Sequence, residues 1–336
     1  MDVIVIQGPD EELNSTAFHL KFGRFKLGLY REKKIDLIVN GTRTGILMKL
    51  SNSGKGYFLR DSNKQLLISK SFVSAPETLN SLSVPGKLPK IFDNPDKDIP
   101  VNEVTNDDMT LNSDEIKLLN LNMGVNIIHY SVRTNEQVLL SAKIYLWDYR
   151  SKMIISDIDG TVTKSDILGH LYYIIGKDWK REGVVGLYKK MRKRGYQIIY
   201  LSARPLDQID YTRGYLAWAE QDGEHLPDGP TILSPNGLFT SFKREILSTS
   251  HTFKTQALEE IMRLIPEDEY PFIAGFGNKK SDAIAYTQVG MPKDKVFIFE
   301  KNKKNEEFFS AIRNFDEIIE DLDVKFPEID DYILIS

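Results

Sequence analysis

The segment MIISDIDGTVTKSD carries the densest chemistry in the chain. An apolar run, Met153 to Ser156, leads into Asp157, Ile158, Asp159, Gly160 and Thr161. Two carboxylates at alternate positions just past a strand can enter one site if the chain turns there, and Gly160 permits the turn. Asp157 can attack phosphorus and form an acyl-phosphate. Asp159 can protonate the leaving oxygen and then activate the water that hydrolyses the intermediate. Attack and charge build-up both call for a cation, and Mg²⁺ prefers hard oxygen ligands such as Asp157 and Asp159. The plain alternative is an Asp-rich turn that caps a helix. The full DxDGT pattern after an apolar strand, with Thr161 closing it, points to catalysis.

Three further segments fit the same chemistry. YQIIYLS ends at Ser202, followed by Ala203 and Arg204. Ser202 can bind a transferred phosphoryl oxygen, and Arg204 can hold a phosphate in bidentate fashion. Taken alone, Ser202 reads equally as a helix N-cap. Lys254 is expected to open the helix KTQALEEIMRLI, where its cation would neutralise phosphoryl group and nucleophile; the rival is Lys243, which with Arg244 lies in SFKREIL. As substrate contacts, Lys243 and Arg244 compete with a reading as surface cations. Finally, FIAGFGNKKSDAIAY reads as strand, Gly turn and helix start, bringing Asn278 toward substrate and Asp282 toward the metal. Asp282 reads otherwise as a first-turn acid favoured by the helix dipole. Asp157, Ser202 and Gly277 all fall at C-terminal strand ends, where open α/β sheets bind ligands.

The elements that must position these residues begin at Lys152. From there short apolar strands alternate with amphipathic helices, which predicts a parallel sheet in an α/β catalytic domain over residues 151–325, with a tail at 326–336. Residues 1–69 read differently, as short strands (VIVIQ, AFHLKFG, KIDLIV, ILMKL, GYFLRD) separated by polar turns. An antiparallel all-β sandwich fits them. Residues 70–122 are rich in Ser, Pro, Asn and Asp and read as a linker, with a helix only near Ser113–Leu121. VNIIHYSV and VLLSAKIYLW, within 123–150, resemble a hairpin; two strands alone are marginal, so they are expected to complete the first sandwich across the linker.

Composition narrows the function classes. Lys plus Arg total 44 and Asp plus Glu total 48, a formal charge of -4, so the chain is not a general nucleic-acid binder and any anion site is local. It has no cysteine, which excludes disulfides, thiolate metal sites and cysteine nucleophiles. No apolar run approaches the roughly 20 residues needed to span a bilayer. The first residues read as a strand, not a signal peptide.

These segments resemble the four motifs of the haloacid dehalogenase superfamily. DIDGT is similar to motif one, Ser202 to motif two, a lone lysine (Lys254 or Lys243) to motif three and GNKKSD to motif four. A narrower resemblance follows from DIDGTVTKSDILGH, GKDW, LYKKM, LSARP, TRGYLAW, LPDGPTILSP, KREI and PFIAGFGNKKSDAIAYTQVG. Together they look like the catalytic region of lipins, Mg²⁺-dependent phosphatidate phosphatases. AFHLKFGRFKLG, REKKIDLIVNG and MKLSNSGKGYF look like the lipin N-terminal region. The resemblance implies a Rossmann-like haloacid dehalogenase domain plus an immunoglobulin-like sandwich, and hydrolysis of membrane phosphatidate to diacylglycerol. It also implies a cytoplasmic protein peripherally bound to endoplasmic reticulum or nuclear membrane. Lipins begin with an amphipathic membrane-binding helix, whereas this chain starts at the strand-like DVIVIQG. Docking is therefore expected through HLYYIIGKDWKR or LYKKMRKRG, or through an extension. The motifs alone also allow a phosphatase of a soluble monoester. A catalytically silent phosphatidate-binding module would be marked by loss of either motif-one Asp, and both are present.

Overall fold

The computed structural model describes residues 1–21, 34–51, 54–61, 63–69, 90–92, 109–132, 138–163, 181–221, 223–235, 243–299, 310–312 and 314–329. The chain forms two compact units, Met1–Trp147 and Asp148–Ser336.

In the first unit β-branched and aromatic runs form β1 (Val3–Gln7), β2 (Leu13–Ser15), β3 (Lys34–Val39), β4 (Thr42–Leu50), β5 (Gly56–Phe58), β6 (Leu67–Ser69) and β7 (Lys90–Phe92). A short helix, α1 (Ser113–Lys117), precedes β8 (Gly124–Val132) and β9 (Val138–Asp148). The strands hydrogen-bond in the order β2-β1-β9-β8-β3-β4-β6-β7, with β5 on β4, as one nine-stranded sheet. β3 pairs antiparallel with β8, setting Leu37 opposite Tyr130, while β6 and β7 are parallel. The alternate apolar residues of these strands, among them Val3, Val5, Leu37, Ile46, Met48, Phe58, Ile128 and Ile144, close a common core. Residues 109–122, which composition reads as the end of a linker, join that core through buried Leu111, Ile116 and Leu119. An Asn112–Glu115 capping box starts α1, and Glu115 takes both prongs of Arg60 at 2.6 and 2.9 Å. Polar composition conceals this because the segment carries its few apolar residues at helical spacing.

The second unit alternates β10 (Met153–Asp157), α2 (Val184–Lys193), β11 (Gln197–Pro205), α3 (Ile209–Ala217), the ribbon β12 (Glu220–Gln221) and β13 (Glu224–His225), and β14 (Thr231–Ser234). It continues with α4 (Lys243–Met262), β15 (Phe272–Gly277), α5 (Lys280–Gln288), β16 (Val296–Phe299), β17 (Ser310–Ile312), α6 (Asp316–Ile319) and α7 (Leu322–Lys325). The six-stranded sheet runs β14-β11-β10-β15-β16-β17, every pairing parallel. From β10 the chain first winds to one side, through β11 and β14, then crosses back to β15 on the other. The carboxyl end of β10 is therefore a topological switch point, where a crevice opens for a ligand. Asp157 is its last residue.

Two expectations change here. Lys254 does not open its helix: α4 starts at Lys243, so Lys254 lies in its middle. The Ser- and Thr-rich LSTSHTF has weak helix propensity, and tertiary packing overrides it. The tail expected from residue 326 begins later, because Phe326 is fully buried, edge-on to Tyr196, and Ile329 N donates to Arg194 O.

Candidate active site

Past Asp157 the backbone turns through Asp159 (φ -77°, ψ 107°) and Gly160 (φ 85°, ψ -3°). The left-handed value at Gly160 is open to glycine and strained for other residues. The turn is tied by Gly160 N donating to Thr163 Oγ1 at 2.8 Å, and by Arg181 Nε and Nη2 donating to Gly160 O at 2.8 and 2.6 Å. Arg181 also lies over the Phe299 ring at 4.3 Å.

Lys254 Nζ donates to Asp157 Oδ1 at 2.5 Å and to Asp282 Oδ1 at 2.7 Å, with all three side chains buried. The remaining Asp157 oxygen accepts from Thr161 Oγ1 at 3.1 Å. Asp282 Oδ2 accepts from the backbone N–H groups of Asn278 and Lys279, each at 3.0 Å, which fixes it at the start of α5. Gly277 makes that approach possible, since a Cβ there would lie 2.5 Å from the Asp282 Cβ. Burial pushes the Asp157 carboxyl up to about 7; Lys254 opposes the shift, and Asp282 and Asp159 add to it. Burial works against the Lys254 charge as well, yet Asp157 and Asp282 hold its ammonium above the ordinary lysine range. With both carboxyl groups ionised the centre holds two carboxylates and one ammonium, one negative charge in excess among buried side chains. Such a place favours a cation.

Asp159 belongs to a second cluster beside the first. Its Oδ2 accepts from Ser202 Oγ at 2.9 Å, and Arg204 grips both its oxygens. Arg204 is itself buried. Sequence reasoning aimed Ser202 and Arg204 at a phosphate; in the structure both donate to Asp159. Ala203 lies between them on β11, half-buried. The side chains of Lys243 and Arg244, at the start of α4, lie outside what is described. So does HLYYIIGKDWKR up to residue 180.

Sequence reasoning missed several supporting groups. Tyr188, fully buried on α2, shares a 2.7 Å hydrogen bond with Ser156, whose hydroxyl donates to Asp157 O at 2.9 Å. Tyr286 on α5 donates to Phe276 O at 2.9 Å. A buried tyrosine at an apolar helical position reads as core, so only the Ser156 preceding Asp157 offered a hint. Arg181, in a run of charged residues, offered none.

Among the described residues no group of three or more His, Asp or Glu side chains converges to hold a metal unaided. The donors present are hard oxygens, those of Asp157 and Asp282, together with Asn278 Oδ1, which is buried and has no hydrogen-bond partner among the described residues. That set fits a magnesium-like ion that keeps waters, and does not fit a thiolate or imidazole metal.

Residues 107–327 match the LNS2 (Lipin/Ned1/Smp2) family, and residues 1–76 match the lipin N-terminal conserved region. The chain belongs to the lipin family. Among its lipin relatives, phosphatidate phosphatase LPIN3 of Mus musculus is 44% identical over 192 residues, 56% of this chain and 23% of that protein. Phosphatidate phosphatase PAH1 of Arabidopsis thaliana is 44% identical over 199 residues, 58% of this chain and 22% of that one. Phosphatidic acid phosphohydrolase 1 of Saccharomyces cerevisiae is 42% identical over 198 residues, 56% and 23%. The matched region is thus under a quarter of the length of these three relatives. Among solved structures, the chain is similar to D,D-heptose 1,7-bisphosphate phosphatase from B. bronchiseptica, at 12% identity and a TM-score of 0.35, covering 51% of this chain and 97% of that one. No fold relation follows from so low a score.

Proposed function

We propose that this lipin-family chain is a Mg²⁺-dependent phosphatidate phosphatase, releasing phosphate and diacylglycerol through an aspartyl-phosphate on Asp157. The observation that carries the reading is Lys254 Nζ set between Asp157 and Asp282 at the switch point of a parallel sheet. Asp157 is the nucleophile, with one oxygen fixed by Thr161 and the other by Lys254. Lys254 neutralises the charge that gathers as phosphorus is attacked. Asp159 is the general acid and then the general base. Asp157, the Asp159 backbone carbonyl and Asp282 would hold Mg²⁺, with Asn278 beside them. The bound ion would neutralise the phosphoryl oxygens. Gly160 and Ala203 are assigned to the phosphate, and Lys243 and Arg244 to the headgroup.

The phosphatidate assignment is supported by the names of the relatives, phosphatidate phosphatases and a phosphatidic acid phosphohydrolase, each of which carries the matched region within a longer protein. The second unit is read as a haloacid dehalogenase-type catalytic domain, and the first, with β7 from within residues 70–108 and the other strands from both sides of them, as an immunoglobulin-like sandwich. Among the described residues no helix is long and apolar enough to cross a membrane. We assign the chain to a peripheral position on the cytoplasmic side of endoplasmic reticulum or nuclear membrane. Lys190, Arg192 and Lys193 are exposed along α2, whereas Lys189 pairs with Glu224 at 2.7 Å. Near an anionic leaflet each cation contributes about 1 kcal/mol.

The test is Mg²⁺-dependent phosphate release from phosphatidate in mixed micelles against release from glycerol 3-phosphate in solution. Strong preference for phosphatidate is expected. Equal or greater turnover of the soluble ester overturns the lipid assignment, and no turnover of either overturns the enzymatic one.

A further inference from the structure

Arg204 is 3% exposed, and its contacts account for its place. Nε donates to the two Asp159 oxygens at 3.1 and 3.0 Å, and Nη2 donates to Asp159 Oδ1 at 2.5 Å. Nη1 donates to Thr212 Oγ1 at 3.3 Å, and that hydroxyl is anchored on Gln208 O at 2.9 Å. The guanidinium carbon lies 5.7 Å from the Tyr215 ring centre. Ser202 Oγ completes the cluster, donating to Asp159 while accepting from Arg204 N at 3.2 Å. A guanidinium that clamps phosphate presents its two-pronged edge to the phosphate. Here that edge is on a carboxylate, and α3 supports the guanidinium from behind.

We propose that Arg204 is a positioning residue: it acts through Asp159, fixing the orientation of that carboxyl, and does not grip the substrate phosphate. The proposal rests on the reading of Asp159 as acid and base. In the first step an Asp157 oxygen bonds to phosphorus as the ester P–O bond breaks. Its electron pair goes to the leaving oxygen, which takes the proton of the Asp159 carboxylic acid. The carboxylate so formed is the species that Arg204 and Ser202 bind. In the second step it takes a proton from water as the water oxygen attacks phosphorus. The Asp157–phosphorus bond then breaks, leaving phosphate, the Asp157 carboxylate and a protonated Asp159. Arg204 thus keeps Asp159 aimed through both transfers, and Thr212 and Tyr215 keep the guanidinium in place.

The experiment compares alkyl with aryl esters. An alkoxide needs a proton to leave, whereas p-nitrophenolate does not. The chain, with Arg204→Lys and Arg204→Ala, is assayed with Mg²⁺ on phosphatidate micelles, glycerol 3-phosphate and p-nitrophenyl phosphate, following leaving-group release in the first turnover. Arg204→Lys keeps the buried charge and carries the comparison if Arg204→Ala does not fold. Expected is a loss of at least about tenfold on the alkyl esters, with p-nitrophenol release within about threefold of wild type and KM little changed. Placed in an Asp159→Asn background, Arg204→Lys should add less than about threefold, because residues acting through one group are non-additive. Equal losses on alkyl and aryl esters with a raised KM, or the full loss repeated in the Asp159→Asn background, overturn the proposal. Wild-type turnover of glycerol 3-phosphate without phosphatidate overturns the lipid reading alone, and the alkyl–aryl comparison still decides the role of Arg204. A wild-type chain inert on all three esters overturns both.

Discussion

Asp157 meets opposed demands. A nucleophile must be ionised, yet burial pushes this carboxyl up to about 7. Lys254 is the counter-charge that opposes that shift and favours the carboxylate, and the same ammonium holds Asp282. Two outcomes follow. Asp157→Asn is expected to fold as wild type, by circular dichroism, and to lose phosphate release by about 10⁴-fold or more, as removal of other catalytic nucleophiles does; appreciable turnover in the folded variant would show the nucleophile to be elsewhere. Lys254→Met leaves two buried carboxylates without an ammonium, and breaking a buried ion pair costs about 3–5 kcal/mol. A urea titration in the presence of chelator reads that loss, and an unchanged midpoint would mean that the pair contributes nothing to the fold. That Asp157, Asp159, Ser202 and Asp282 lie close together was legible in the sequence, because each stands on or just past an apolar strand, or in the first turn of a helix, with a residue type that chemistry needs. That Ser202 and Arg204 turn to Asp159 was not, because both look the same in sequence whether they meet a phosphate or a carboxylate. Only the fold brings β11 beside the turn after β10.

At the scale of elements, the site is held by strand ends that close tightly onto helix starts. Gly277 ends β15 and the Asp282 Cβ occupies the space its own side chain would need. Gly277→Ala should therefore shift the start of α5, costing about 1–3 kcal/mol as overpacking does. It should cost disproportionately more activity than stability, measured by thermal melting beside phosphate release. Parallel loss of the two would show that Asp282 does not move. The alternation of strand and helix after Lys152 was readable from period alone, because strands buried on both faces are continuous apolar runs. The start of α4 and the packing of 109–122 were not readable. In both, a few apolar residues find a core that composition cannot reveal, and tertiary contact outweighs propensity.

At the scale of the whole molecule, cation and proton dependence separate. Chelator is expected to abolish phosphate release and Mg²⁺ to restore it, with Ca²⁺ a poor substitute because its looser coordination does not hold in-line geometry; full activity in excess chelator would refute a divalent requirement. Proton dependence of stability has a source in the first unit, where His19 is lowered from 6.5 to about 4, first by burial and then by the Met1 ammonium and Lys55. Because the folded chain disfavours the charged imidazole, its contribution is intact above pH 6.5 and is lost as pH falls toward 4, where the unfolded chain alone takes up the proton. The loss amounts to up to about 3 kcal/mol, and His19→Gln should flatten that part of the urea midpoint against pH; an identical slope in wild type and variant would remove His19 as its cause. The chain order of the central ion pair has another consequence. Asp157 precedes Lys254 by 97 residues. At a synthesis rate of about 5–20 residues per second, the nascent polypeptide waits roughly 5–20 s between making the nucleophile and making its counter-charge. In that interval β10 can bury its carboxyl end only with Asp157 protonated, and the carboxylate becomes favourable there when Lys254 arrives.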